Sequence, residues 1–284
     1  MAFHNPQTSP VSIQNRALYA RVTPLTDVGR KRRHNEDNHL ILPLDGSRAP
    51  QSGEASTLSL RGPGLLLMVA DGMGGHQGGE VASQACVENL AREIVPRVRD
   101  CGSGSPDLHS ALQEAVVATH QAVFSLTKEH VGKEKMGTTL TAVLVCGARA
   151  AVAQVGDSRA YLYRGGALVL LTQDQTIGNR LRHQGDDPSM VSGHIKELLT
   201  QAVGAQAEIN VVMTGVDLEA EDLLLLCSDG LYKVVSPQEL VDILEGEIPL
   251  AEKARQLIAR GNENGGPDNI TVILAEISAL ESPH

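Results

Sequence analysis

The sequence predicts an α+β fold with helices lying outside packed sheets. Strand-like apolar runs arrive in groups, whereas segments with helical spacing arrive in pairs. Gly147 and the Gly165-Gly166 pair separate strand candidates by short turns, which is the grammar of antiparallel hairpins rather than of parallel crossovers. A chain of 284 residues with 42% hydrophobic content can also bury a large core, and it fits one large domain, residues 19–284.

Residues 1–18 carry two prolines and little periodicity, and read as an N-terminal arm or disordered tail. Strands are expected over residues 19–26 and 39–44, flanking a turn of basic and acidic residues. Residues 45–64, rich in Ser, Gly and Pro, read as an exposed loop. The apolar run from Leu65 ends at Asp71, and helical spacing follows over residues 79–98, with Val81, Ala85, Val87, Leu90, Ile94 and Val95 on one side. The clearest helix spans residues 106–130, where Leu108, Leu112, Ala115, Val116, Thr119 and Val123 recur at three- and four-residue steps. Ser105 offers it an N-cap and Pro106 a pre-set first turn.

Strand patterns return over residues 138–146, 150–155, 160–164 and 168–171. Polar residues 172–204 interrupt them with short helical pieces, before further strands over residues 208–214 and 222–227. Ser236 to Glu239 forms a capping box that opens a helix to about Leu244. A second helix runs from about Leu250 to Arg260, where Gly261 is expected to stop it, and the last strand covers residues 270–277.

Composition excludes several function classes. The net charge is -10, from 24 basic and 34 acidic residues, which argues against a nucleic-acid footprint. Aromatic residues make up only 2%, with no tryptophan, so stacking platforms for single strands are lacking too. Cys86, Cys101, Cys146 and Cys227 lack CxxC spacing and read as free thiols. The polar N-terminus and the absence of an apolar run near the ~18 residues that span a bilayer predict no membrane association and a cytoplasmic location.

The most informative feature is a set of four aspartates beside strand-like runs: Asp71, Asp157 and Asp229 at the ends of such runs, and Asp268 just ahead of one. Each is followed by Gly, Ser or Asn, and a fifth acidic cluster stands at Asn35-Glu36-Asp37. A carboxylate at the rim of a core is costly to desolvate unless a cation or hydrogen-bond donors compensate. One Asp-Gly is ordinarily a plain turn. Several in one chain suggest convergence on hard divalent cations, which prefer oxygen ligands, and point to a metal-assisted hydrolase.

The ordered set is Thr26-Asp27-Val28-Gly29, Arg32, Asn35-Glu36-Asp37, Asp71-Gly72-Met73-Gly74-Gly75, Gly137-Thr138-Thr139, Val155-Gly156-Asp157-Ser158-Arg159, Leu171-Thr172-Gln173-Asp174, Ser228-Asp229-Gly230-Leu231 and Gly266-Pro267-Asp268-Asn269. It resembles the bacterial branch of the metal-dependent serine/threonine protein phosphatases, the PPM or type 2C family, over residues 19–277. The resemblance implies a β-sandwich of two antiparallel sheets flanked by helix pairs. It also implies two Mg2+ or Mn2+ ions in a cleft at one end, with phosphorylated proteins as substrates and a Ser/Thr kinase system as the opposing partner. Phosphate monoesters hydrolyse slowly because the anionic substrate repels nucleophiles. Two cations about 3.5–4 Å apart would activate water and neutralise charge during in-line displacement.

By the same resemblance, Asp71 bridges both metals and the Gly72 carbonyl completes one shell, glycine allowing close backbone approach. Asp229 and Asp268 match ligands of the first metal, and Asp37 the residue that holds the second metal's shell. Arg32 matches the arginine that grips the substrate phosphate, a task that suits a guanidinium fork. Asp37, Asp71 and Arg32 form the expected catalytic set, while Arg30, Lys31 and Arg33 read as a solvated basic turn. Asp157 matches a position that helps hold a third, weaker ion; the competing reading is a turn aspartate paired with Arg159.

The chain departs from the pattern at three places. Met73 stands where members from higher organisms often carry a proton-donating histidine, which leaves the general acid open between a water on the metals and His76. Gln175-Thr176 replaces a common His-Ser at the start of the flap, residues 173–204, and Gln201 replaces a usual arginine near its end. The segment from Gly72 to Gly79 is not a nucleotide loop, because Gln77 falls where the last glycine belongs. Two other functions are consistent with the motifs: a pseudophosphatase or phosphoprotein-binding scaffold, which loss of a ligand aspartate would mark, and a phosphoesterase acting on small metabolites.

Overall fold

The computed structural model describes residues 18–74, 78–98, 107–129 and 136–279. Two antiparallel six-stranded sheets stack face to face, with helices on both outer surfaces. The first sheet holds β1 (Leu18–Asp27), β3 (Ser56–Ser59), β8 (Arg159–Arg164), β9 (Ala167–Leu170), β11 (Leu223–Cys227) and β12 (Ile270–Ala279), in the order β3-β1-β12-β11-β8-β9. The second holds β2 (Asp37–Pro43), β4 (Leu65–Met73), β6 (Leu140–Cys146), β7 (Arg149–Val155) and β10 (Val212–Asp217), in the order β10-β7-β6-β4-β2. A two-residue strand, β5 (Gly137–Thr138), pairs with the end of β4.

The continuous apolar run of β4 follows from its place between two cores. Leu65, Leu67 and Val69 face the first sheet and meet Val22, Leu224, Leu226 and Ile273 in the centre of the sandwich. Leu66, Met68 and Ala70 face outward into a second core with α1 (Gly78–Arg97) and α2 (Leu108–Glu129), where Leu90, Ile94, Leu112 and Val116 are fully buried. A third core joins the first sheet to α5 (Asp229–Tyr232), α6 (Pro237–Glu245) and α7 (Leu250–Glu263). The Ser236–Glu239 capping box at the head of α6 is formed as the sequence predicts. Between β9 and β10 the flap carries α3 (Ile177–Gln184), a 3-10 turn (Pro188–Met190) and α4 (Gly193–Glu197).

Four elements differ from expectation. Residues 45–64 contain β3, an edge strand whose sequence, Ser-Thr-Leu-Ser, buries only Leu58 and so has no readable alternation. The strand expected over residues 208–214 is displaced to β10, because side chains hold its first part: Asn210 N–H donates to Gln201 Oε1, and Gln175 Nε2 donates to Asn210 O. Gly261 does not stop α7, which runs on to Glu263. A Cβ there would stand 2.8 Å from Ile270 Cδ1, so this glycine serves close packing of helix on sheet. The short α5 has no periodicity to read from four residues. The N-terminal arm up to residue 17, the Ser105-Pro106 helix start, Cys101 and His76 lie outside the described residues.

Candidate active site

The strand ends bring the acidic residues to one end of the sandwich. Asp37 opens β2 and Asp71 lies near the end of β4, and the antiparallel register makes them direct partners. Asp71 N–H donates to Thr139 Oγ1 at 2.9 Å, and its carbonyl accepts from Thr139 N–H at 2.8 Å and from Thr138 Oγ1 at 2.9 Å. These bonds fix the backbone from which the carboxylate projects. Gly72 leaves no room for a side chain, since a Cβ would stand 2.3 Å from Gly79 O and 2.6 Å from Glu36 O. Ser228 Oγ donates to Asp37 Oδ2 at 2.7 Å and accepts from Thr271 N–H, which ties Asp37 to the first sheet.

Asn269 organises the opposite wall. Its amide donates to Val28 O at 2.9 Å and His34 O at 3.0 Å, while its Oδ1 accepts from Glu36 N–H at 2.9 Å. One buried side chain thus shapes the loop that carries Arg32. Arg32, half exposed at the cleft mouth, donates from Nη2 to Asp268 Oδ2 at 2.8 Å, and this hydrogen bond raises its pKa.

Asp229 begins α5, and Lys233 one turn later donates from Nζ to its Oδ2 at 2.6 Å. The same Nζ lies 3.7 Å from Asp157 Oδ2 and 3.8 Å from Glu197 Oε2 in the flap. Burial works against the Lys233 ammonium, yet Asp229 and Asp157 outweigh it and hold its pKa above the ordinary lysine value. Arg159 does not pair with Asp157. Its Nε and Nη2 make a two-point contact with Asp174 at 2.9 and 2.7 Å, and its guanidinium lies 3.7 Å over the Tyr232 ring.

The donor set fits hard divalent cations. Burial, then the charges of Asp37, Asp229, Asp157 and Asp268, hold the Asp71 pKa well above the carboxylate range. Burial likewise lifts Asp37 to about 7 against the hydrogen bonds from Ser228 and Thr271, and lifts Asp157 to about 7 with help from Asp229. Asp229 Oδ1 is buried without a hydrogen-bond partner. Crowded oxygen donors with an orphaned lone pair call for positive charge. Among the described residues no three acidic, histidine or cysteine side chains are already gathered into an ion cage. Asp268 and Asp229 are instead engaged by Arg32 and Lys233.

A cleft of about 240 Å³ is lined by Arg32, Asp71, Gly72, Asp157, Asp229 and Asp268, with Asp37 buried beside it. Glu197 and Leu199 of the flap close its other side. A family model described as "Protein phosphatase 2C" matches residues 55–274. The chain belongs to that family. It is 31% identical over 261 residues to the serine/threonine phosphatase Stp of Listeria welshimeri, covering 90% of this chain and 95% of that protein. The fold is similar to that of the PstP catalytic domain in complex with two manganese ions, at 35% identity, TM-score 0.72 and coverage of 92% and 99%. It is also similar to a Streptococcus agalactiae serine/threonine phosphatase, at 28% identity, TM-score 0.77 and coverage of 90% and 99%.

The departures of this family member from the motif pattern are built into the flap base. Gln175 Oε1 accepts from Gly156 N–H at 2.8 Å, its backbone N–H donates to Gly156 O, and its carbonyl accepts from Thr200, so it clamps the Asp157 turn to both ends of the flap. Gln201 binds Gln206 and the Asn210 backbone and does not line the cleft. Sequence reasoning assigned no role to Ser228, Asn269, Thr139 or Lys233. The first three stand inside the quoted motifs, so adjacency to a ligand was the available signal; Lys233 offered only its place four residues after Asp229.

Proposed function

We propose that this cleft hydrolyses phosphoserine and phosphothreonine monoesters of proteins, with Mg2+ or Mn2+ held by Asp37, Asp71, the Gly72 carbonyl, Asp229 and Asp268. The chain is a metal-dependent protein serine/threonine phosphatase by family and by its relatives. One observation carries the residue assignments: a guanidinium and the clustered carboxylates share one small cleft.

Bound there, two divalent cations would supply an activated water and neutralise the phosphoryl charge. The protein's own contributions are positional. Thr138 and Thr139 hold Asp71, Ser228 holds Asp37, and Asn269 sets the loop that aims Arg32. Arg32 now donates to one carboxylate oxygen of Asp268, and a phosphate edge offers equivalent acceptors. A cation held by Asp268 would leave the guanidinium available for substrate. Met73 beside the ligand pair contributes no proton, and the flap supplies the wall that a phosphopeptide would lean against.

The retained aspartates favour turnover over a scaffold role. A bacterial Ser/Thr kinase as opposing partner and a cytoplasmic place belong to this same proposal, the latter supported by free thiols at Cys86, Cys146 and Cys227. Among the described residues no helix is long and apolar enough to cross a membrane.

The test is substrate profiling of chelator-stripped protein with Mn2+ restored or EDTA in excess. Phosphopeptides and p-nitrophenyl phosphate should be hydrolysed only with the ion. Preference for small phosphometabolites over phosphopeptides would assign the cleft to the other class.

A further inference from the structure

We propose that the Lys233 ammonium takes the place of a third divalent ion between Asp157 and Asp229. Three carboxylates from three elements share this one cation: Asp229 at 2.6 Å, Asp157 at 3.7 Å and Glu197 of the flap at 3.8 Å. Asp157 and Asp229 are only 6% and 15% exposed, so placing them side by side requires nearby positive charge. The chain supplies it from within. Lys233 lies one helical turn after Asp229, and its backbone N–H donates to Asp229 O, which aims its side chain back along α5.

Occupancy by the ammonium also excludes a competitor. A divalent ion binds carboxylate oxygen at about 2.0–2.1 Å for Mg2+ and repels a cation already in contact with the same oxygen. Asp229 Oδ2 is engaged by Lys233, whereas its buried Oδ1 has no hydrogen-bond partner and is left for the core pair. Asp157, which the motif comparison would assign to a weak third ion, is thereby an anchor for the lysine. Gln175 fixes the turn that carries Asp157, its Oε1 accepting from Gly156 N–H. The positive charge at this position is permanent and insensitive to ion concentration. It also reaches the flap through Glu197.

The inference rests on the core pair being held as proposed above, and metal counting separates the two. Full-length protein, stripped with chelator, is titrated with Mn2+ by calorimetry and bound manganese is counted after equilibrium dialysis. The expected count is two ions per chain in the wild type and in Lys233→Arg. Lys233→Met and Lys233→Gln should each bind three, the third more weakly, and adding Asp157→Asn to Lys233→Met should return the count to two. Circular dichroism shows which variants are folded, and the wild-type count decides if neither neutral variant is. Three ions in the wild type, or two in a folded neutral variant, would overturn the role of Lys233 and leave the core pair standing. A wild type that binds no manganese would remove both readings.

Discussion

Asp37 and Asp71 are register partners across β2 and β4, two carboxylates placed directly opposite each other at the end of a buried ladder. Like charges in that position are destabilising, and here burial compounds the cost. The fold holds this unfavourable pair in place through the bond from Asp71 N–H to Thr139 Oγ1 and the bond from Ser228 Oγ to Asp37 Oδ2.

The pair predicts an inverted pH dependence for the metal-free protein. Asp37 titrates at about 7 when folded against 3.8 for the free side chain, so between these values the folded state keeps a proton that the unfolded chain has lost. Its contribution to stability is therefore greatest below this window and falls as pH rises through it. Chemical denaturation in chelator should show lower wild-type stability at about pH 8 than at about pH 5, a slope that Asp37→Asn flattens and saturating Mn2+ reverses. A wild-type slope of the opposite sign, unchanged in the variant, would refute it.

Arg32→Ala should lower kcat/KM by an amount equivalent to about 2–4 kcal/mol, because the guanidinium is assigned to the phosphate. Its second effect follows from the Asp268 pair: freed of its 2.8 Å partner, Asp268 should bind Mn2+ more tightly. Arg33→Ala should change neither quantity much. Equal kinetic defects in the two variants would show a diffuse basic field instead of a fork.

Gly72→Ala should damage the site directly. Its methyl group would press on the Gly79 and Glu36 carbonyl oxygens, both backbone atoms, so relief requires moving α1 or the Asp37 loop. The expected stability loss is about 1–3 kcal/mol, with a much larger loss of turnover. Thermal unfolding beside single-turnover kinetics measures both; a variant with wild-type kinetics would show that the carbonyl position is not critical.

Asn269→Ala should cost about 1–3 kcal/mol by leaving the Glu36 N–H without its acceptor. It should also raise KM, since the Val28 and His34 carbonyls are released and the Arg32 loop loses its shape. Asn269→Asp keeps the acceptor but not the donors, and should recover part of the stability and little of the KM. Identical behaviour of the two variants would argue against the loop-shaping role.

The sequence-derived outline was accurate wherever one physical signal dominated. The doubly buried β4 and the long stripe of α2 were legible because burial imposes composition, and the capping box of α6 because it is local. The edge strand β3 and the start of β10 were not, since pairing with a distant strand and side-chain bonds from Gln175 and Gln201 leave no local pattern. Motif order picked out Arg32, Asp71, Asp157, Asp229 and Asp268, which the fold brings to one cleft. The pairing of Arg159 with Asp174, the support of Asn269 and the reach of Lys233 are tertiary facts that spacing does not encode.

β1 pairs with β12 residue for residue from Leu18–Ala279 to Asp27–Ile270, joining the first described strand to the last. Asp268 and Asn269 immediately precede β12, while Arg32 and Asp37 follow β1. During synthesis the N-terminal strand must therefore wait for its neighbour, a long-range closure of the kind that folds slowly. A nascent chain stalled ahead of Asp268 lacks both Asp268 of the cleft wall and the Asn269 side chain that shapes the Arg32 loop. The cleft can therefore assemble only once β12 has been made.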